Sequence, residues 1–132
     1  MLEALRDGLI DYLATDHAPH TPQEKVRGAP GLPHLDTYGM FVCWLLLDQG
    51  FTPQRIAEVC CANPGRFVNP YSKEQFGRIK PGYTGSLTVL NLKKQHSVHR
   101  SELRTLCGWS PFDGVTFPGS VEAVIIRGQP MG

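Results

Sequence analysis

Gly8-Leu9-Ile10-Asp11-Tyr12-Leu13-Ala14-Thr15, followed directly by Asp16-His17-Ala18-Pro19-His20, is the stretch on which the fold turns. The first eight residues are short, mostly apolar and bounded by a polar loop. They read as a strand buried on both faces, the kind found in parallel sheets covered by helices. A carboxylate and two imidazoles then stand just past the C-terminal end of that strand. In an α/β barrel this end carries the active site. A carboxylate there can bind a metal or carry a proton, and an imidazole can hydrogen-bond or coordinate. Taken alone, Asp-x-x-x-His equally describes a helix cap with two surface histidines.

Downstream, Asp16 to Asp36 is rich in Pro, Gly and His. Pro19, Pro22, Pro30 and Pro33 exclude a continuous helix or strand, and a long structured loop is more often functional than a plain connector. Thr37 to Gln49 is predicted as a helix, capped by Asp36 or Thr37 and ended by Gly50. Met40, Phe41, Val42, Trp44, Leu45, Leu46 and Leu47 go nearly all round it, so it should be buried between other elements, with Trp44 in the core. Thr52-Pro53 opens a second helix, with a cap residue followed by Pro at the first helical position. Asn63-Pro64 repeats that start signal for a short helix through Phe67.

After Asn69-Pro70 the texture changes. Gly77, Gly82 and Gly85 punctuate the chain, and Ser86 to Leu92 alternates toward a strand. Val115–Phe117 and Val121–Arg127 are two more strand candidates, separated by Pro118-Gly119. Residues 93–114 read as loop, with Trp109 and Phe112 pinning it. One strand and one helix cannot close a parallel barrel. Residues 1–70 therefore read as the end of a larger α/β unit: its last barrel strand, its active-site loop and its closing helices. Residues 71–132 read as strands that need others to complete a sheet.

Composition narrows the function classes. The net charge of +1 excludes a strong electrostatic footprint for nucleic acid or acidic lipid. No stretch approaches the ~20 apolar residues that span a bilayer. The first residues lack the charged-then-apolar layout of a signal segment, so a cytoplasmic protein is expected. Cys43, Cys60, Cys61 and Cys107 have no zinc-site spacing and are expected as buried or partly buried free thiols in a reducing compartment.

Thr-Asp-His-Ala-Pro-His at 15–20, Gly28-Ala29-Pro30-Gly31-Leu32 and Leu35-Asp36-Thr37 together resemble the dihydroorotase branch of the cyclic amidohydrolases. Asn63-Pro64, Phe76-Gly77-Arg78-Ile79-Lys80-Pro81-Gly82, Trp109-Ser110-Pro111-Phe112-Asp113-Gly114 and Val124-Ile125-Ile126-Arg127-Gly128 extend the resemblance, in order, over nearly the whole chain. It implies the C-terminal portion of a metal-dependent-hydrolase (β/α)8 barrel plus part of a small β-sandwich. It also implies hydrolysis of dihydroorotate to N-carbamoyl-L-aspartate in pyrimidine synthesis, or the reverse ring closure. A zinc-activated water would attack the ring amide carbonyl.

By the same resemblance, Asp16 is the aspartate that contacts the metal, accepts the proton and passes it to the leaving nitrogen. His20 would pair with the substrate carboxylate. Pro30 and Gly31 would lie against the substrate, where glycine permits close approach. His17 is expected to be structural, and His96 and His99 to be ordinary surface histidines.

The sequence also departs from that pattern. The family binds a binuclear zinc centre with a His-x-His pair, a carboxylated lysine and two more histidines, none of which has a counterpart here. Gly85-Ser86-Leu87 stands where the family has Ala-Asp-Leu. A single carboxylate does not hold a catalytic zinc, which takes three protein ligands. The chain alone is therefore expected to be inactive and to need the missing barrel half, or a homo-oligomer. Two other readings stay open: a non-catalytic relic or assembly partner, and an allantoinase or hydantoinase-type enzyme. Expressed alone, the chain should leave apolar surface bare and tend to associate.

Overall fold

The computed structural model describes residues 1–131. Helices fill the first half and short antiparallel strands the second. Helix α1 spans Leu2–Arg6 and α2, inside the Pro-rich loop, spans Pro22–Val26. A 3-10 turn at Leu35–Thr37 leads into α3, Tyr38–Leu47. α4 covers Pro53–Ala57 and α5 covers Asn63–Val68. The strands are β1 (Leu87–Asn91), β2 (His96–Ser97), β3 (Thr116–Phe117), β4 (Ser120–Ile126) and β5 (Gln129–Met131).

The core gathers where these helices meet. Leu5, Val42, Leu45, Phe51, Ile56 and Val59 are buried against one another, and Ile10, Leu13, Tyr38 and Trp44 pack partly buried around them. α3 is less enclosed than its composition predicts. Val42, Cys43 and Leu45 are buried, but Leu47 is exposed and Trp44 only half-buried, lying 5.1 Å from Phe41 ring to ring. Neither expected side chain caps α3. Thr37 turns its hydroxyl onto the His34 carbonyl at 3.2 Å, and Asp36 accepts the backbone N–H of Thr105 at 3.0 Å. α3 meets the sheet through Gly39, where a Cβ would stand 2.4 Å from Val121 Cγ2. Glycine costs a helix interior about 1 kcal/mol, and the close approach of β4 explains its presence.

Thr52 does cap α4, its hydroxyl accepting from Arg55 N at 3.1 Å, with Pro53 at the first helical position. Asn63-Pro64, in contrast, does not open a new helix. Helical backbone runs through from Pro53 to Val68, with a π-helical stretch at Glu58–Ala62 in the middle. There Asn63 N–H bonds the Glu58 carbonyl, five residues back. Pro64 has no N–H to offer the helical ladder, and the ladder is offset beside it.

The run Gly8–Thr15 forms no strand and is not buried as expected: Gly8 closes the turn after α1, Ile10 lies in a bend, and most of its residues are exposed. Leu13 N donates to Val59 O at 3.0 Å, and side chains of the helical half serve its carbonyls. Arg55 donates to Ile10 O, Asn63 Nδ2 to Asp11 O at 2.6 Å, and the Tyr38 hydroxyl to Leu13 O at 3.0 Å. A strand exists only by pairing, and no parallel neighbour lies among the described residues.

β1, β4 and β5 form an antiparallel sheet in the order β1-β4-β5, with a bulge between Val89 and Leu90. Ser86–Leu92 and Val121–Arg127 thus emerge close to their expected limits. β5 was not foreseen. Arg127 and Gly128 both adopt positive φ, 50° and 78°, between the paired residues Ile126 and Gln129. Two left-handed residues in a two-residue hairpin match the twist of the strands. β2 and β3 pair as a second small sheet, so His96 lies on a strand where loop was expected.

Candidate active-site loop

Asp16 directly follows the run Gly8–Thr15, with φ of 45°. Left-handed backbone is uncommon for residues other than glycine, and Asp is among those that tolerate it. Its side chain is exposed and has no hydrogen-bond or ion-pair partner among the described residues.

The loop beyond Asp16 closes on itself. His17 forms a parallel bridge with Leu32, and Ala18 N donates to Leu32 O at 3.0 Å. His17 Nδ1 accepts the backbone N–H groups of both His34 and Leu35, each at 3.2 Å. An accepting Nδ1 carries no proton, so the neutral ring has its hydrogen on Nε2. These contacts match the structural role expected of His17.

His20 and Gly31 lie on the two arms of the closed loop. Gly31 has φ of 87° and a carbonyl that accepts Lys25 Nζ at 2.9 Å. A Cβ on Gly31 would stand 2.4 Å from Ala18 Cβ. Glycine here is thus required by the packing of the loop's two arms, a reason the sequence did not disclose. Pro30 is exposed beside it.

α2 opens with a capping box: Thr21 Oγ1 accepts from Glu24 N while Glu24 accepts from Thr21 N at 2.7 Å. The Thr21 backbone N–H, then its hydroxyl, hold the Glu24 carboxyl below its ordinary range, with a smaller pull from His20. His20 Nδ1 lies 3.7 Å from that carboxylate, and the His20 carbonyl accepts the indole Nε1 of Trp109 at 2.7 Å. Trp109 therefore ties down the Asp16–Asp36 loop as well as belonging to its own 93–114 segment, a partner its place in the sequence did not disclose. Phe112 packs between the rings of His34 and Phe117, 5.7 and 5.4 Å away. Lys25 was not singled out in the sequence, because a lone loop lysine carries no signal of the carbonyls it will meet.

The remaining candidates behave as surface or packing groups. His96 Nε2 pairs with Glu102 Oε2 at 3.2 Å, and His99 caps the 3-10 turn at Arg100–Glu102. Cys43 and Cys107 are buried and Cys60 half-buried, whereas Cys61 is exposed, against expectation. Burial, chiefly, holds the Cys60 thiol above its usual range, which makes it an inert packing group. Among the described residues, no three His, Cys, Asp or Glu side chains gather as a metal site. Asp16 alone does not fit a zinc centre.

The model of the Amidohydrolase family matches residues 1–131. The chain is 35% identical to a dihydroorotase of Archaeoglobus fulgidus over 126 residues, covering 92% of this chain and 29% of that protein. It is 30% identical to a dihydroorotase of Clostridium botulinum, covering 98% and 32%. Among solved structures, the L-hydantoinase (dihydropyrimidinase) of Arthrobacter aurescens superposes with a TM-score of 0.86 at 28% identity, covering 98% of this chain and 30% of that one. The D-hydantoinase of Thermus sp. gives 0.84 at 18% identity with the same coverage and attests the fold alone. The chain thus spans about a third of the length of the proteins it matches. Its fold class is the expected one, the C-terminal portion of an amidohydrolase barrel with part of the small β-sandwich.

Proposed function

We infer the function from one premise: this chain belongs to the amidohydrolase family. The reading it supports is that residues 1–131 supply one wall of a cyclic-amide hydrolase active site of the dihydroorotase type. The observation that carries it is Asp16, an exposed, unpartnered carboxylate on left-handed backbone at the mouth of a closed loop. Strained or unusual backbone at such a position is often kept for chemistry.

In this reading Asp16 accepts the proton of the attacking water and delivers it to the ring nitrogen as the C–N bond breaks. Dihydroorotate plus water then gives N-carbamoyl-L-aspartate. His20 faces the substrate carboxylate, and the backbone at Pro30-Gly31 bounds the ring. General acid–base work of this kind is worth about 10²- to 10⁴-fold in rate. The zinc implied by the family needs ligands that these residues do not supply. The chain by itself is expected to be inactive, and the remaining wall and ligands to come from further polypeptide. A hydantoinase-type ring is the second reading, favoured by the 28% identity to the L-hydantoinase.

The test is a chimera in which residues 1–131 replace the matching segment of the Archaeoglobus fulgidus dihydroorotase, assayed with dihydroorotate and with a hydantoin. Activity that falls at least ~100-fold on Asp16→Asn supports the reading. A folded chimera that turns over neither ring favours the non-catalytic relic. Activity indifferent to Asp16→Asn removes Asp16 from the chemistry.

A further inference from the structure

We propose that Trp109 is a positioning residue. Through its indole N–H it fixes the His20 arm of the loop relative to Asp16. The inference rests on the reading that this loop bounds the substrate.

The loop from Asp16 to Asp36 is tied to itself at its neck, by the His17–Leu32 bridge and the two N–H groups on His17 Nδ1. Those contacts close the neck but do not say where the His20 arm stands. His20 is half-buried; among the described residues its backbone N–H bonds Ala18, two residues away, and its ring reaches the exposed Glu24. Among the described residues, the link from this arm to a distant part of the chain is Trp109 Nε1 to His20 O at 2.7 Å, across 89 residues.

Trp109 can act as a fixed post because its own segment is held. The buried Cys107 Sγ lies 3.3 Å from Thr105 Oγ1 and 3.7 Å from the Trp109 carbonyl, and the buried Ser110 accepts the N–H of Phe112 at 3.1 Å. The same segment grips the other end of the loop separately, through Thr105 N to Asp36 Oδ2 at 3.0 Å and Phe112 against His34. The C-terminal segment therefore braces both ends of the loop. Among the residues described in that segment, Trp109 reaches the end that carries His20. An indole is suited to this, since its rings pack while its single donor fixes a direction.

The experiment compares W109F with D36A in the 132-residue chain by hydrogen exchange, and in the chimera by kinetics. Phe keeps most of the ring and removes the donor. W109F should lower the protection of the Ala18-to-Glu24 amides about fivefold, the scale of one neutral hydrogen bond, and leave α3 and β4 unchanged. D36A should loosen residues 34–37 and spare 18–24. In the chimera, W109F should raise KM about fivefold with kcat within twofold, the mark of lost substrate positioning.

Identical exchange profiles for the two variants, or W109F protection unchanged at 18–24, would overturn the proposal, as would equal losses in kcat and KM with a lowered melting point. If the parent chimera is inactive on both rings, the functional reading fails separately, and the exchange data still decide whether Trp109 braces the loop.

Discussion

Gly31 and Ala18 approach so closely that an ideal Cβ on the glycine would lie 2.4 Å from the alanine Cβ. The contact brings together the arms of the Asp16–Asp36 loop, and the Ala18 N–H···O=C Leu32 bond at 3.0 Å lies beside it. Gly31 also has φ of 87°, which an L side chain adopts at a cost of about 1–2 kcal/mol. Gly31→Ala adds a clash to that strain. It should destabilise the loop by about 2 kcal/mol and expose the Ala18 amide to exchange. Protection at Ala18 equal to that of the parent would show that the arms can shift apart freely.

Tyr38 ties α3 to the run Gly8–Thr15, through its hydroxyl to the Leu13 carbonyl at 3.0 Å. Tyr38→Phe leaves that carbonyl without its donor and should cost about 1 kcal/mol in chemical denaturation. Burial first, then the hydrogen bond with Cys60, holds the phenol well above its ordinary 10.0. A raised folded value means that the fold favours the neutral phenol. Its contribution is whole below pH 10 and is lost as the pH rises toward the folded value. Tyr38→Phe should therefore flatten the fall in stability above pH 10; an unchanged alkaline slope would assign that slope to other groups.

Tyr12 and Phe67 face each other with ring centroids 6.3 Å apart, and Phe67 is 64% exposed. Leu9, three residues before Tyr12, is 79% exposed. Bare apolar surface of this kind favours association. Sedimentation velocity should show concentration-dependent oligomers for the parent and a shift toward monomer for the Y12S/F67S double variant. A parent that sediments as a monomer at all concentrations would mean that this surface is content in water.

Much of the architecture was legible because its signals are local. Thr52-Pro53 carries its own cap and its own fixed φ, and Ser86–Leu92 carries the two-residue period of a strand. The failures came where the decisive partner is remote. Thr37 and Asp36 are good cap residues, but His34 and Thr105 claim their oxygens. Asn63-Pro64 looks like a helix start, yet the helix arriving from Pro53 passes through it by a π-helical offset. The candidate site divides in the same way. Asp16, His20 and Gly31 were named from the resemblance of their motifs to the dihydroorotase branch. The braces that hold them, Lys25 on the Gly31 carbonyl and Trp109 on the His20 carbonyl, are backbone contacts whose partners no side-chain pattern specifies.

The sequence by itself determined the family, through the ordered motifs it shares with the amidohydrolases, and most of the helices and strands, because their signals are local. Only the tertiary structure decided that Gly8–Thr15 has side chains on its carbonyls and no ladder, and that the loop closes through His17 and Gly31. It also decided that the C-terminal segment braces that loop from 89 residues away. Pairing and close approach are properties of two segments at once, and neither segment encodes them alone.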